Sequence, residues 1–151
     1  MLFTGETERS IDEKQRISVP ADMRAGFPSG FVYASPGPNG VIWLSPEHVF
    51  EKKASAMEQT LFQDEDVMEF EQILFSQSRR IEIDKQGRVR LPESLLLLAD
   101  LEGQAHIIGV GDHLEVMNQT KLEAVKAKIS KLHEYMARAS KQAKTRGESS
   151  Q

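Results

Sequence analysis

Cysteine is absent from this chain, which excludes disulfide bonds and thiolate metal sites and fits a reducing compartment. Long apolar runs are missing too. None approaches the roughly 18 residues that a membrane span requires, and the start Met1-Leu2-Phe3-Thr4-Gly5 has neither the basic nor the apolar region of a secretory signal. The expectation is a cytoplasmic protein with no membrane partner. The marks of catalysis are also lacking. The four histidines, His48, His106, His113 and His133, do not stand at metal-ligand spacing, and there is no glycine-rich phosphate loop or serine elbow. No enzyme activity, cofactor or metal is expected. His106 and His113 flank one hairpin and could approach each other there; the alternative is a pair of satisfied surface histidines. A surplus of positive charge is absent as well, since the net charge is -4. Taken alone, that argues against a partner as anionic as nucleic acid, whose non-specific affinity is built from cation–phosphate contacts.

What is present is an ordinary globular balance, 39% hydrophobic and 28% charged residues in a chain of 151. The charge is segregated. Residues 54 to 78 hold six acids (Glu58, Asp64, Glu65, Asp66, Glu69, Glu71) and no base, whereas residues 121 to 146 hold eight bases and two acids. A chain patterned in this way can carry a basic face despite an acidic total.

One internal similarity organises the chain. Ser10-Ile11-Asp12-Glu13-Lys14-Gln15-Arg16-Ile17-Ser18-Val19-Pro20 returns 72 residues later as Glu82-Ile83-Asp84-Lys85-Gln86-Gly87-Arg88-Val89-Arg90-Leu91-Pro92. Asp, Arg and Pro coincide, and so do the apolar positions Ile11/Ile83, Ile17/Val89 and Val19/Leu91. Each copy reads as strand, turn, strand and short helix. Apolar residues alternate with polar ones on both sides of the turn, the period of a half-buried strand. The Asp side chain can accept bonds from backbone N–H groups of its own turn, and Gly87 permits positive φ. Pro20 and Pro92 force an extended residue before them and fit a helix start, which predicts short helices over Ala21 to Gly26 and Glu93 to Leu98. A hairpin follows each helix: Phe31 to Ala34 with Val41 to Leu44, and Ala105 to Val110 with Leu114 to Met117. Each unit is too small to bury a good core alone, but two packed together can.

Helices follow both units. Pro46 to Met57 and Asp64 to Phe75 form an amphipathic pair carrying Phe50, Met57, Val67, Phe70 and Leu74. From Gln119 onward Leu122, Val125, Ile129, Leu132 and Met136 step by three and four, the seam of a helix docked on its own chain or on a neighbour. Lys141 to Gln151 are polar and are expected to fray.

With its repeated Asp-x-x-x-Arg turns and Pro-led helices the chain resembles the MraZ family from Met1 to about Leu122. The most telling stretches are Phe3-Thr4-Gly5-Glu6, Asp12-Glu13-Lys14-Gln15-Arg16 before Val19-Pro20, and Arg80-Ile81-Glu82-Ile83-Asp84-Lys85-Gln86-Gly87-Arg88 before Leu91-Pro92. The resemblance implies an α+β, mainly β fold of duplicated AbrB/SpoVT-like swapped-hairpin barrel units. Unit 1 would span 1–53, a helical linker 54–78, unit 2 79–122, and a C-terminal helix with a tail 123–151. It further implies a nucleoid-associated repressor that binds tandem repeats upstream of the bacterial operon for cell division and wall synthesis, as a ring of protomers. The chain departs from the family at Gln15, where the first turn usually has Gly, a residue better suited to positive φ.

Strand alternation supplies a contact surface. If Ile17, Val19, Val89 and Leu91 face inward, then Arg16, Ser18, Arg88 and Arg90 face outward, with Lys14 and Lys85 at the turn tips. A two-stranded ribbon can enter the major groove of double-stranded DNA, where Arg bonds guanine while Lys and backbone N–H groups hold phosphates. Asp12 and Asp84 would shape the turns and orient the arginines, and Arg24 on the first short helix is a phosphate candidate. Arg9, which shares the parity of Ile11, ranks lower. The competing reading makes Asp12/Arg16 and Asp84/Arg88 turn-closing ion pairs and nothing more, although exposed pairs add little stability. The alternative function is an AbrB-fold antitoxin-like or scaffold protein that binds another protein.

Overall fold

Two segments of similar sequence, the first and second copies, exchange strands in this α+β protein. The computed structural model describes residues 1–57 and 64–149. Residues 58–63 of the expected linker, Glu58 among them, and the last two residues of the expected tail lie outside the described residues. The chain forms two compact units, Met1–Gln119 and Thr120–Gln151.

In the larger unit each copy opens with β1 (Glu6–Ser10) or β5 (Arg79–Glu82), then a tight turn, then β2 (Arg16–Ser18) or β6 (Arg88–Arg90). The strands on either side of a turn do not pair with each other. β2 pairs with β6 in a two-stranded antiparallel ribbon, while β1 and β5 enter a separate six-stranded sheet. The prolines act as expected. Pro20 (φ -51°) and Pro92 (φ -60°) sit at the N-caps of a 3-10 helix, Ala21–Gly26, and of an α-helix, Glu93–Leu98.

The hairpins are longer than the sequence suggested in the first copy and nearly as expected in the second. β3 (Phe31–Gly37) and β4 (Val41–Pro46) run on through Pro36, Gly37, Ser45 and Pro46, whereas β7 (Gln104–Gly109) and β8 (Leu114–Met117) stop short of Val110. The sheet order is β1-β7-β8-β4-β3-β5. It reads the same from either end when the copies are interchanged. The first strand of each copy closes the hairpin of the other: β1 lies beside β7 in the register Thr7↔Ile107, and β5 beside β3 with Val32↔Ile81. The copies meet at the centre through β4 and β8, with Ile42 opposite Val116.

The core sits where these pieces converge. Ile17, Val19, Val89 and Leu91, the inward residues around the ribbon, are at most 1% exposed, and Val32, Leu44, Leu95 and Ile107 join them in one cluster. Burying side chains of this size contributes about 1.5–3 kcal/mol each, which is why neither three-residue ribbon strand could persist unsupported.

Of the expected linker helices, the described residues form α1 (Glu47–Met57) and α2 (Glu65–Gln77); the 93–98 helix is α3. Asp64 caps α2 by accepting a 3.0 Å bond from the Asp66 N–H. The seam expected beyond Gln119 is not one helix. α4 (Gln119–Ala127) gives way to a 3-10 turn, Ile129–Lys131, before α5 (Leu132–Ser149). The expected fraying from Lys141 is also corrected, because α5 continues to Ser149; Ala137, Ala139, Lys141, Gln142, Ala143, Lys144 and Arg146 are strong helix formers. No helix among the described residues is long and apolar enough to cross a membrane.

Leu91, wholly buried, lies just past the ribbon and belongs to the one core cluster that draws residues from both copies. Leu91→Ala is expected to lower unfolding free energy by about 2–5 kcal/mol, read as a reduced urea midpoint. A loss well under about 1 kcal/mol would mean that the ribbon does not anchor the core.

Candidate nucleic-acid interface

Both turns are built the same way, from one carboxylate each. An Asp12 oxygen accepts the backbone N–H of Lys14 (2.9 Å) and of Arg16 (2.8 Å), and the other carboxylate oxygen accepts the Arg16 Nε–H at 2.7 Å. Asp84 repeats this with the N–H of Gln86 (2.9 Å), that of Arg88 (2.9 Å) and the Arg88 Nε–H (2.9 Å). Backbone bonds complete the pattern, from Gln15 N–H to the Asp12 carbonyl and from Gly87 N–H to the Asp84 carbonyl, 2.9 Å in each case. The left-handed position is filled by Gln15 in the first turn (φ 64°) and by Gly87 in the second (φ 79°). Gln15 therefore leaves the shape of its turn unchanged.

Backbone bonds then tie the turns to each other. The Leu91 N–H donates to the Gln15 carbonyl and the Val19 N–H to the Gly87 carbonyl, both at 2.8 Å. These bonds flank the ribbon register Arg16↔Arg90, Ile17↔Val89, Ser18↔Arg88. Side chains directly opposite share a face, so Arg16, Ser18, Arg88 and Arg90 occupy one face of the ribbon and the buried Ile17 and Val89 the other. Arg90 is exposed, as are Lys14 and Lys85 at the tips. Arg16 and Arg88 are each a little over a quarter exposed.

The turn-closing ion pairs are thus real, and they are compatible with outward arginines. Each pair engages Nε alone among the described residues, which leaves two terminal nitrogens of each guanidinium for another acceptor. Stability alone does not account for the arrangement. Arg16 stands directly across from Arg90, and like charges opposite one another destabilise a ribbon. An anion bound at this face would relieve that repulsion.

Arg24 is placed otherwise than its position on a short helix implied. Its Nε donates to the Val19 carbonyl at 3.1 Å, and its guanidinium lies over the second turn. A methyl group added at Gly87 would fall 2.2 Å from the Arg24 Cζ. The first copy therefore contributes a cation to the second copy's turn, and a side chain at position 87 would have to push that flexible guanidinium aside. Sequence reasoning missed this contact, because it joins residues 63 positions apart. The 72-residue repeat does place Leu96 opposite Arg24 as a mismatch, and that signal could have flagged the turns as unequal. Arg9 is engaged locally, donating to Thr7 Oγ1 and to the Glu8 carbonyl.

Of the two histidines at the second hairpin, His113 is not on the surface. It is buried and stacked on Trp43 with ring centroids 3.9 Å apart. Its Nδ1 meets Asp112 at 2.8 Å and its Nε2 meets Glu115 at 3.1 Å. Burial pushes its pKa down, but the bonds to Glu115 and Asp112 together raise it above the ordinary value. No group of three or more His, Asp or Glu residues suited to a metal occurs among the described residues.

The chain has relatives among known proteins. A family profile described as "MraZ protein, putative antitoxin-like" matches residues 74–145. The chain is 33% identical over 119 residues to "Transcriptional regulator MraZ" of Mesoplasma florum, covering 79% of this chain and 82% of that one. It is 32% identical to the protein of the same name from Acetivibrio thermocellus, over 82% of this chain and 85% of the relative. The Desulforamulus reducens protein is 28% identical over 90% and 95% respectively.

The turns set a dependence on acid. The Arg16 N–H holds the Asp12 carboxyl below its usual range; burial opposes this, and the Arg16 side chain and the Lys14 N–H reinforce it. Asp84 is lowered in the same way by the Arg88 N–H, again against burial and with help from the Arg88 side chain and the Gln86 N–H. A depressed carboxylate stabilises the fold fully above its unfolded value of 3.8, and that contribution fades as pH drops through the folded value. The urea midpoint is expected to fall between about pH 5 and about pH 2, with a shallower fall in Asp12→Asn and Asp84→Asn. Equal slopes in wild type and both variants would show that the turns are not held by carboxylates.

Proposed function

The chain belongs to the MraZ family, and on that premise we propose that it is a DNA-binding transcriptional regulator that reads its site through the Arg16/Arg88 ribbon. The named relatives are transcriptional regulators rather than enzymes. The observation that carries the DNA reading is the ribbon face itself, where Arg16, Arg88 and Arg90 share one side of two paired strands. Guanidinium groups held at ribbon spacing suit guanine edges in the major groove, with Lys14, Lys85 and Arg24 on the flanking phosphates.

The finer reading has the chain acting in the cytoplasm, on the nucleoid, as a sequence-specific repressor of the operon for cell division and wall synthesis. It binds tandem repeats as a ring of protomers. We read the units as 1–53 and 79–122, joined by the linker 54–78 and followed by 123–151. The exchange of first strands is taken as the AbrB/SpoVT-like swapped hairpin. Support for assembly comes from α2, which leaves Met68, Phe70 and Ile73 more than half exposed beside Glu65, Asp66 and Glu69. Exposed apolar patches of this kind mark interaction surfaces. The basic α5 region, with Leu132 and Met136 also exposed, offers a second copy of the chain an apolar stripe of opposite charge.

Assembly multiplies weak contacts. One protomer reaches few phosphates, but a ring that presents the same turns to evenly spaced repeats gains effective concentration without new chemistry. A second reading, an antitoxin-like or scaffold protein, is favoured by the wording of the family description alone. A pull-down from lysate separates the two, because nuclease treatment strips a regulator of its captured material and leaves a scaffold's protein partner in place.

Two outcomes are expected. In gel shifts, affinity rises steeply from one to two to four repeats, whereas equal affinity on all three would remove the avidity account. Arg16→Ala and Arg88→Ala each weaken duplex binding by about tenfold or more with oligomer size unchanged by light scattering. Unaltered binding in both variants would take the ribbon out of the site.

A further inference from the structure

We propose that the two turns are unequal DNA contacts: the second, to which the first copy lends Arg24, makes the dominant phosphate contact, and the chain therefore grips a duplex with a fixed polarity. The inference rests on the DNA reading of the ribbon and adds to it which turn dominates and what that does to the site.

The asymmetry is specific to a few positions. Around the second turn lie Lys85 at the tip, Arg88 held by Asp84, and the Arg24 guanidinium resting on the Cα of Gly87. The 72-residue offset that carries Arg16 onto Arg88 carries Arg24 onto Leu96 and Gln15 onto Gly87. Leu96 is buried, 7% exposed, and lines a depression beside Gln15, Asp12 and Ile11. The first turn thus has a neutral amide and a buried leucine where the second has a bare backbone and a cation. The carboxylate frames are otherwise the same. Arg90 stands across from Arg16 at the first end, but the first tip also carries Glu13, so Arg24 leaves the second end with a net excess of one positive charge.

Arg24 is anchored for this task. Its Nε is spent on the Val19 carbonyl, 3.1 Å away, and the Val19 N–H is in turn bonded to the Gly87 carbonyl. The guanidinium is therefore fixed to the backbone of the turn it covers, and its terminal nitrogens remain for a phosphate. A pseudo-two-fold ribbon with equal ends could sit on a duplex in either direction. With one end more cationic, the two directions differ in energy, and sites lacking two-fold symmetry are preferred.

The test uses the full chain and duplexes that the wild type enriches from a random-sequence library. Affinity is measured against salt for wild type, Arg24→Leu and Arg24→Lys, with thermal melting as a fold control. Arg24→Leu is expected to lower affinity about tenfold and to reduce the magnitude of the log–log salt slope by about 0.9, the signature of one lost phosphate contact. Arg24→Lys keeps the slope. Loss of packing over Gly87 alone would shift melting and leave the slope in place. Polarity is read separately, and the absence of cysteine makes single labels unique. An iron chelate tethered at Ser10→Cys or at Gln86→Cys, both neutral and exposed positions, is expected to cut opposite ends of the selected site. If both labels cut both ends equally, or if Arg24→Leu keeps the wild-type slope, the proposal is overturned while the ribbon reading stands. Failure of the wild type to enrich any duplex would bring down both.

Discussion

The pairing of β2 with β6 is the interaction on which the rest depends. Three residues against three make a poor sheet in isolation, since a bare two-stranded ribbon is marginal at best in water. Here the ribbon has one face sealed against the common core through Ile17 and Val89, and the turns are bonded across it, Leu91 to Gln15 and Val19 to Gly87. The fully buried face is what permits the opposite face to carry three arginines at close quarters. Hydrophobic burial below offsets charge repulsion above, and the Asp12 and Asp84 carboxylates reduce the remainder.

Register follows from the same pairing. A slip of one residue between β2 and β6 would turn Ile17 and Val89 outward and carry the arginines into the core. The structure forbids that with two deeply buried positions and with the reciprocal closure of the six-stranded sheet, in which β1 and β5 each complete the other copy's hairpin. Site geometry and core packing are thus one constraint seen from two sides. The same backbone register that buries Ile17 and Val89 sets the positions of the arginines beside them.

Much of this was legible in the sequence because it is locally encoded. Proline fixes φ and removes a donor, so the helices after Pro20 and Pro92 begin and end where the sequence placed them. The Asp-led turns and the outward parity of Arg16 and Arg88 follow from short-range bonding and a period of two. What was not legible depends on contacts between distant segments. The lengthening of β3 and β4 through Pro36 and Pro46 is supported by pairing. The break at Ile129–Lys131 carries no glycine or proline, but it falls close to where the repeat offset places the end of α1 at Met57. The burial of His113 under Trp43 required knowledge that β4 and β8 are neighbours. The seat of Arg24 on Gly87 needed the chain crossing that brings the first copy to the second turn.

The exchanged strands have a consequence for ancestry. A single half, severed from its sibling, would present unmatched edges at its hairpin and at its ribbon strand, and the simplest remedy is to embrace an identical half. Such a partnership obliges both members to be the same, since one gene writes both. Joining them in tandem lifts that obligation, and each position is then free to drift on its own. Gln15 against Gly87 and Arg24 against Leu96 are differences of the kind that a fused pair can hold.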